Sequence, residues 1–329
     1  MALPELDEPL GAAEYVVHLP LPDALKADRD ARVALLEGVE HLLLVGSPTR
    51  ARKVAERAAK TRGATIGCYC DLTQPGRDET GREFAVWIVR MAEGPVVAVA
   101  SHGVGLSGVE IILSELPALV SLTSGGRFGA MKTVLRSGTR GTVAAQVPLG
   151  CVALSTACYH DTTEGGPILP DAGLTDLVRS AARHRGMEIV PDEAIEGRAA
   201  AGWGDPARLL IEGPGMATTF FWEGQGRPMF VPGEGPTRRP SRPAETAARA
   251  AMLKGWCDQG IRWLEMEDYT VHRLARACGY PSASVGAVIA SRRRADGRFQ
   301  VDYDHEAHQR AELIPTELAL DTILLAGRG

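Results

Sequence analysis

The sequence predicts an α/β fold from three observations. Short apolar runs rich in Val, Ile and Leu recur along the chain; several of them end in turns of Gly, Ser, Thr or Pro; and segments with helical apolar spacing follow those turns. No internal repeat or low-complexity segment interrupts this alternation. The 329 residues suffice for one large domain or two smaller ones, with a substantial buried core.

The first core strand is Glu40-His41-Leu42-Leu43-Leu44-Val45. It delivers Gly46-Ser47-Pro48-Thr49-Arg50 to a helix over 51–60, and such a junction points free amide hydrogens at an anion. It lacks the Gly-Lys-Ser/Thr of a P-loop, and an ordinary turn capped by Ser47 is the plainer reading. A hairpin follows, formed by the runs 82–91 and 95–100 around Glu93-Gly94. Its second strand enters Gly103-Val104-Gly105-Leu106-Ser107-Gly108 and a helix over 109–120. That pattern matches the dinucleotide fingerprint, which also requires an acid about 20 residues on. Between Glu115 and Asp161 there is no Asp or Glu. The glycines therefore read as a turn that lets a ligand approach the backbone, with a nicotinamide oxidoreductase as a rival.

Thr133-Val134-Leu135-Arg136 is a further strand, leading into the turn Ser137-Gly138-Thr139-Arg140-Gly141. A guanidinium at a buried strand end needs a counter-charge. The acid-free surroundings favour a phosphate over a local carboxylate. A strand at 151–158 and a helix over 174–183 come next, then a Gly- and Pro-rich loop at 232–243 and a helix over 244–259. Ile261-Arg262-Trp263-Leu264 carries Glu265-Met266-Glu267 to a helix over 268–277. Two carboxylates flanking a thioether could grip sugar hydroxyls and pack on the sugar, although acids are also common at helix starts. A buried strand at 283–290 leads to Ser291-Arg292-Arg293-Arg294, and a helix over 306–325 closes the chain.

Apolar residues make up 45% and charged residues 23%, with a net charge of −5, as in an ordinary soluble globular protein. Dispersed basic residues and few aromatics argue against nucleic-acid binding. The acidic N-terminus has no secretory pattern, and no apolar run of membrane-spanning length stands out, so a cytoplasmic location is expected. The six cysteines have no Cys-x-x-Cys pair and read as reduced thiols. His305 and His308 lack an evident third ligand and read as a solvated helix face, so no metal is expected.

Phe221-Trp222-Glu223-Gly224-Gln225-Gly226-Arg227 holds an aromatic ring, an amide and a guanidinium among glycines. Such a set can stack a flat heterocycle on Phe221 and meet a donor–acceptor edge with Gln225 and Arg227. A polar surface turn is the alternative.

Taken in order, from about residue 14 to about residue 300, these motifs resemble the uridine phosphorylases of the nucleoside phosphorylase superfamily. Val17-His18-Leu19 resembles the segment whose imidazole reaches the ribose 5′-hydroxyl of a neighbouring subunit. Gly46-Ser47-Pro48-Thr49-Arg50 is similar to the phosphate turn, and Arg82-Glu83-Phe84 to the segment lending an arginine to the partner's phosphate. Arg136-Ser137-Gly138-Thr139 resembles the Arg-x-Gly-Thr element. Glu265-Met266-Glu267 resembles the Glu-Met-Glu whose second glutamate binds ribose. Phe221, Gln225, Arg227 and Arg292 fall on the uracil-binding positions.

The resemblance implies one domain over 1–329, with 1–13 as a loosely held arm, folded as a three-layer α/β/α sandwich around a mixed, partly barrel-like sheet. It implies reversible phosphorolysis of uridine or a uridine derivative, with inorganic phosphate as co-substrate and no cofactor. Gly46, Arg50, Arg82, Arg136 and Thr139 would hold phosphate; His18, Met266 and Glu267 the ribose; Arg227 and Arg292 would take up charge on the leaving base. The borrowed Arg82 and His18 imply a homodimer as the minimal active unit, or a hexamer built of dimers. Purine-specific relatives place Asp after the Ser where this chain has Ser291-Arg292, which also argues against a nucleosidase. Three features depart from the pattern: Arg140 stands where a small residue is common, to crowd or strengthen the phosphate site; Gly108 replaces a serine; and the segment 232–243 does not follow the family, which leaves room for a 5′-modified uridine. A nucleoside-binding protein without turnover is the non-enzymatic alternative.

Overall fold

The computed structural model describes residues 18–19, 29–71, 84–123, 131–162, 166–219, 243–293, 299–303, 305 and 312–328. Strand β1 (Val39–Val45) lies parallel between β4 (Val96–Ser101) and β5 (Thr133–Thr142). Antiparallel β3 (Ala85–Arg90) and β2 (Thr65–Asp71) extend the sheet beyond β4. On the other side, β5 pairs with both β10 (Ser282–Arg293) and β9 (Trp263–Glu265). From β10 the path continues through β6 (Val152–His160) and β8 (Leu209–Ala217) and returns to β9. The circuit β5-β10-β6-β8-β9 therefore closes on itself, a barrel-like region within one mixed sheet. β7 (Glu188–Val190) adds to β8, and β11 (Phe299–Tyr303) to β10.

Alternation along β1 decides which helices cover which face. Leu43 and Val45 join a core with Ala51 and Val54 of α2 (Pro48–Arg62), Val178 of α4 (Ala172–His184) and Leu318 of α8 (Ile314–Ala326). Leu42 and Leu44 face the opposite way, onto Leu36 of α1 (Arg29–Leu36), Ile112 and Leu116 of α3 (Leu106–Thr123) and Val271 of α7 (Asp268–Ala277). Two helical layers thus sandwich the sheet, as expected. Short α5 (Ile195–Ala200) and α6 (Pro243–Asp258) flank the barrel-like end.

Several expectations need correction. β5 does not end at Arg136; it runs through Ser137-Gly138-Thr139-Arg140-Gly141 to Thr142, because β1, β9 and β10 hydrogen-bond it from both sides. Sheet pairing overrides the local turn preference of its glycines. β10 likewise continues past 290 and includes Ser291 and Arg292. The long strand β8, with Pro214 between Gly213 and Gly215, and β2 are left unassigned by sequence periodicity. α3 is apolar and long enough to cross a membrane by length and composition, contrary to the reading of the sequence, but half of that window is buried inside the protein.

Glycines on β5 and β10 make room for arginines. An added Cβ would lie 2.8 Å from Arg136 Nη2 at Gly138, 2.6 Å from Arg140 Nε at Gly286 and 3.0 Å from Arg292 Nη2 at Gly141. The sheet can bury three guanidinium groups because the residues beside them lack side chains.

Candidate active site

β4 and β1 end side by side against the middle of β5, with Ser101 and Ser137 both in register with Val45. Beyond the carboxyl ends of β1 and β4 lies a cavity of about 380 Å³, the usual ligand position on an open α/β sheet. Gly46, Arg50, Arg136, Thr139, Met266, Glu267 and Arg292, all expected site residues from separate parts of the chain, line it together. Arg82, Phe221, Gln225 and Arg227 lie outside the described residues, as do 1–13 and the loop at 232–243. His18 does not line this cavity. Its Nδ1 meets Glu115 Oε1 of α3 at 2.5 Å, and the same carboxylate accepts from the His18 and Leu19 backbone N–H groups.

The α2 end of the cavity is built as the sequence suggests. Ser47 is extended, and its Oγ accepts from Arg50 N at 3.2 Å, with Pro48 opening the helix. Arg50 turns back toward the cavity and is only 8% exposed. Its Nε reaches Glu312 Oε1 at 3.4 Å. Burial pulls its pKa down, and Glu312 opposes this only in part. A guanidinium stays charged regardless, so this buried cation favours an incoming anion. The partial positive charges at the starts of α2 and α3 act in the same direction.

Arg136 is engaged differently from the sequence expectation. Its Nη1 donates to Asp268 Oδ1 at 2.7 Å, its Nη2 contacts Glu267 Oε2, and Glu265 Oε2 stands 3.5 Å from Nη1. The acid-free neighbourhood in sequence is supplied with acids by the β9–α7 junction, more than a hundred residues on. Burial alone would lower the Arg136 pKa, but Glu267, Asp268 and Glu265 together raise it. The other oxygen of Glu267 accepts from Gly105 N at 2.8 Å, tying the Gly-rich turn to the same group. Glu265 Oε2 accepts from Glu267 N at 2.5 Å and Asp268 N at 2.7 Å. Burial, reinforced by Asp268, pushes the Glu265 carboxyl upward.

Arg140 also lines the cavity, but its terminal nitrogens are engaged by other side chains. Its Nη2 lies 2.8 Å from Asp268 Oδ2, and its two terminal nitrogens donate to Ser155 Oγ at 2.7 Å and Ser284 Oγ at 2.8 Å. The indole of Trp263 lies 5.5 Å away. Asp268 also accepts from Ser155 at 2.7 Å and Ser284 at 2.5 Å. Burial would raise its carboxyl, but Arg140 and Arg136 hold it well below the usual carboxylate range. Asp268, Ser155 and Ser284 are absent from the sequence-derived site; only Asp268, beside Glu267, carried any sequence signal.

His102 is the other residue missed. It follows β4 directly, lines the cavity and is 2% exposed. Burial, together with Arg136 and Arg50, lowers its pKa to about 4 against the opposing Glu267, so the ring is neutral near pH 7. Its signal was position: the last residue before a Gly-x-Gly turn at a strand end.

The cavity can thus offer an anion two buried guanidinium groups and a threonine side chain, and a hydroxylated molecule a carboxylate. Arg292, 2% exposed on β10, brings a third guanidinium to the wall. Among the described residues no cluster of His, Cys, Asp or Glu is placed to hold a metal.

A family model described as Phosphorylase superfamily matches residues 40–324. Among solved structures, the purine nucleoside phosphorylase of Toxoplasma gondii in complex with immucillin-H is similar, with a TM-score of 0.58 and 19% identity over 89% of this chain and 94% of that one. No curated protein sequence matches the chain.

Proposed function

The chain belongs to the phosphorylase superfamily, and on that premise we propose that it catalyses the phosphorolysis of uridine or a uridine derivative. One observation carries the reading: Arg50, Arg136, Arg292 and Glu267 line a single cavity. Phosphate would lie against Arg50, Arg136 and Thr139, with Arg82 of a second subunit completing the cradle. A phosphate oxygen attacks C1′, the C1′–N bond breaks, and its electron pair leaves on the base. Arg292, with Gln225 and Arg227, stabilises that developing anion, and solvent returns the proton. Catalysis of this kind rests on placement and preorganised charge, without a covalent intermediate or a cofactor.

Arg136 and Glu267 are in direct contact. Phosphate takes over the Arg136 donors in this reading, and Glu267 turns to the ribose hydroxyls. His18 would serve the ribose of a neighbouring subunit, making a homodimer the smallest active unit. Pyrimidine preference is supported by the guanidinium of Arg292 at a wall position where a purine enzyme benefits from an acid.

The Toxoplasma neighbour is named for purine nucleosides, but at 19% identity the likeness extends to the fold alone. A panel of nucleosides incubated with and without phosphate separates the possibilities. Phosphate-dependent conversion of uridine to uracil and ribose 1-phosphate supports the proposal. Cleavage of inosine with uridine untouched overturns the pyrimidine assignment; release of base without phosphate indicates hydrolysis; binding without turnover indicates an impaired enzyme.

A further inference from the structure

His102 presents a buried imidazole to the cavity, and neither ring nitrogen makes a well-formed hydrogen bond among the described residues, its one polar contact being a marginal one with the Gly103 backbone. Its backbone is fixed on both sides. His102 N donates to Val45 O at 3.0 Å, and α3 packs so closely that a Cβ at Gly108 would lie 1.7 Å from His102 O. The ring is therefore held at the cavity wall chiefly by the fold, with only the marginal Gly103 contact of its own.

A neutral imidazole keeps one donor and one acceptor. Leaving both unmet in a buried place is costly, so a group held this way is completed by what enters the cavity. The charged neighbours that act on the ring are Glu267, Arg136 and Arg50. Resting on the phosphorylase reading, those neighbours mark the junction between the phosphate and the sugar. A phosphate dianion supplies acceptor oxygens for the N–H, and a sugar hydroxyl supplies a proton for the other nitrogen. A lysine at this place would meet only the first need, and a carboxylate only the second.

We propose that His102 is a direct ligand at this junction, one ring nitrogen donating to a phosphate oxygen and the other accepting from an adjacent ribose hydroxyl. It contributes a hydrogen bond to the anion without adding a third positive charge beside Arg50 and Arg136.

The test measures binding of inorganic phosphate and of ribose 1-phosphate to the full chain by titration calorimetry. Hydrogen bonds to charged partners are strong enough that His102→Leu should raise the phosphate Kd about tenfold or more. His102→Asn or His102→Gln, which keep a donor and an acceptor, should recover part of that loss and lose less toward ribose 1-phosphate than the leucine variant. A folded His102→Leu protein with the phosphate affinity of the wild type overturns the proposal. Nitrogen NMR of histidine-labelled wild type needs no variant to fold: saturating phosphate should move the His102 ring signals, and unmoved signals equally overturn the assignment. If the wild type binds no phosphate at all, the phosphorylase reading falls, and the role of His102 falls with it. Phosphate binding that is normal in the variants removes His102 alone.

Discussion

Arg140 and Asp268 form an ion pair sealed from solvent, with Nη2 and Oδ2 2.8 Å apart and both side chains fully buried. Asp268 also receives Arg136, so one carboxylate is shared between two guanidinium groups, with Glu267 supplying Arg136 a further counter-charge. Removing one partner of such a pair strands the other in a low-dielectric interior. Asp268→Ala should destabilise the protein by about 3–5 kcal/mol, read from chemical denaturation. A midpoint equal to that of the wild type would show that the network is dispensable.

Arg50 and Arg292 reach the cavity from different elements, α2 and β10, and their loss should be separable in kinetics. Arg50→Gln should raise the KM for phosphate while leaving the KM for the nucleoside nearly unchanged. Arg292→Gln should lower kcat by about 10²–10³-fold, the scale for a preorganised donor aimed at developing charge, with phosphate binding retained. Arg227→Ala is expected to follow Arg292. Initial-rate measurements with each substrate varied decide this, and equal losses in both parameters would contradict the assigned roles.

His41, His102 and His272 are all buried, and burial leads the causes that lower each pKa to about 4. An unfolded histidine titrates near about 6.5. Between those values the unfolded chain binds more protons than the native one, so stability falls as pH drops from about 6.5 toward 4. Glu265, whose pKa is raised, works in the opposite direction, losing its contribution as pH rises above the ordinary carboxylate range. Three groups outweigh one. The thermal midpoint should be lower at pH 5 than at pH 7, and a flat profile between them would show that the histidines are not held neutral by the fold.

Gly108 has no room for a side chain, since its Cβ would meet the His102 carbonyl oxygen at 1.7 Å. A serine there would force α3 away from β4, so glycine at this position is a packing requirement of this chain. Overpacking of this kind costs about 1–3 kcal/mol or more. Gly108→Ser is therefore expected to lower the denaturation midpoint clearly, whereas Gly197→Ser, with nothing within 4 Å of its added Cβ, should change it little.

Local patterns were legible where one element settles the matter. Ser47 and Pro48 mark the start of α2, the 85–101 hairpin follows from its two apolar runs, and α7 begins at Asp268 as the acids before it suggest. Strand ends were not legible on β5 and β10. Gly138 and Gly141 read locally as a turn, while the partners that hold them in a strand come from β1, β9 and β10. Pro214 and its flanking glycines hid β8 in the same way, although the strand sits between β6 and β9.

By itself the sequence determined the α/β alternation, the Gly46–Arg50 junction and the separate motifs that carry the arginines and carboxylates, because each motif is written in adjacent residues. Only the tertiary structure decided who faces whom. It gave Arg136 its carboxylates from a distant junction, paired Arg140 with Asp268, and left His102 buried at the cavity wall. Ion pairing and desolvation act over a few ångströms of space, and separation along the chain carries no record of that distance.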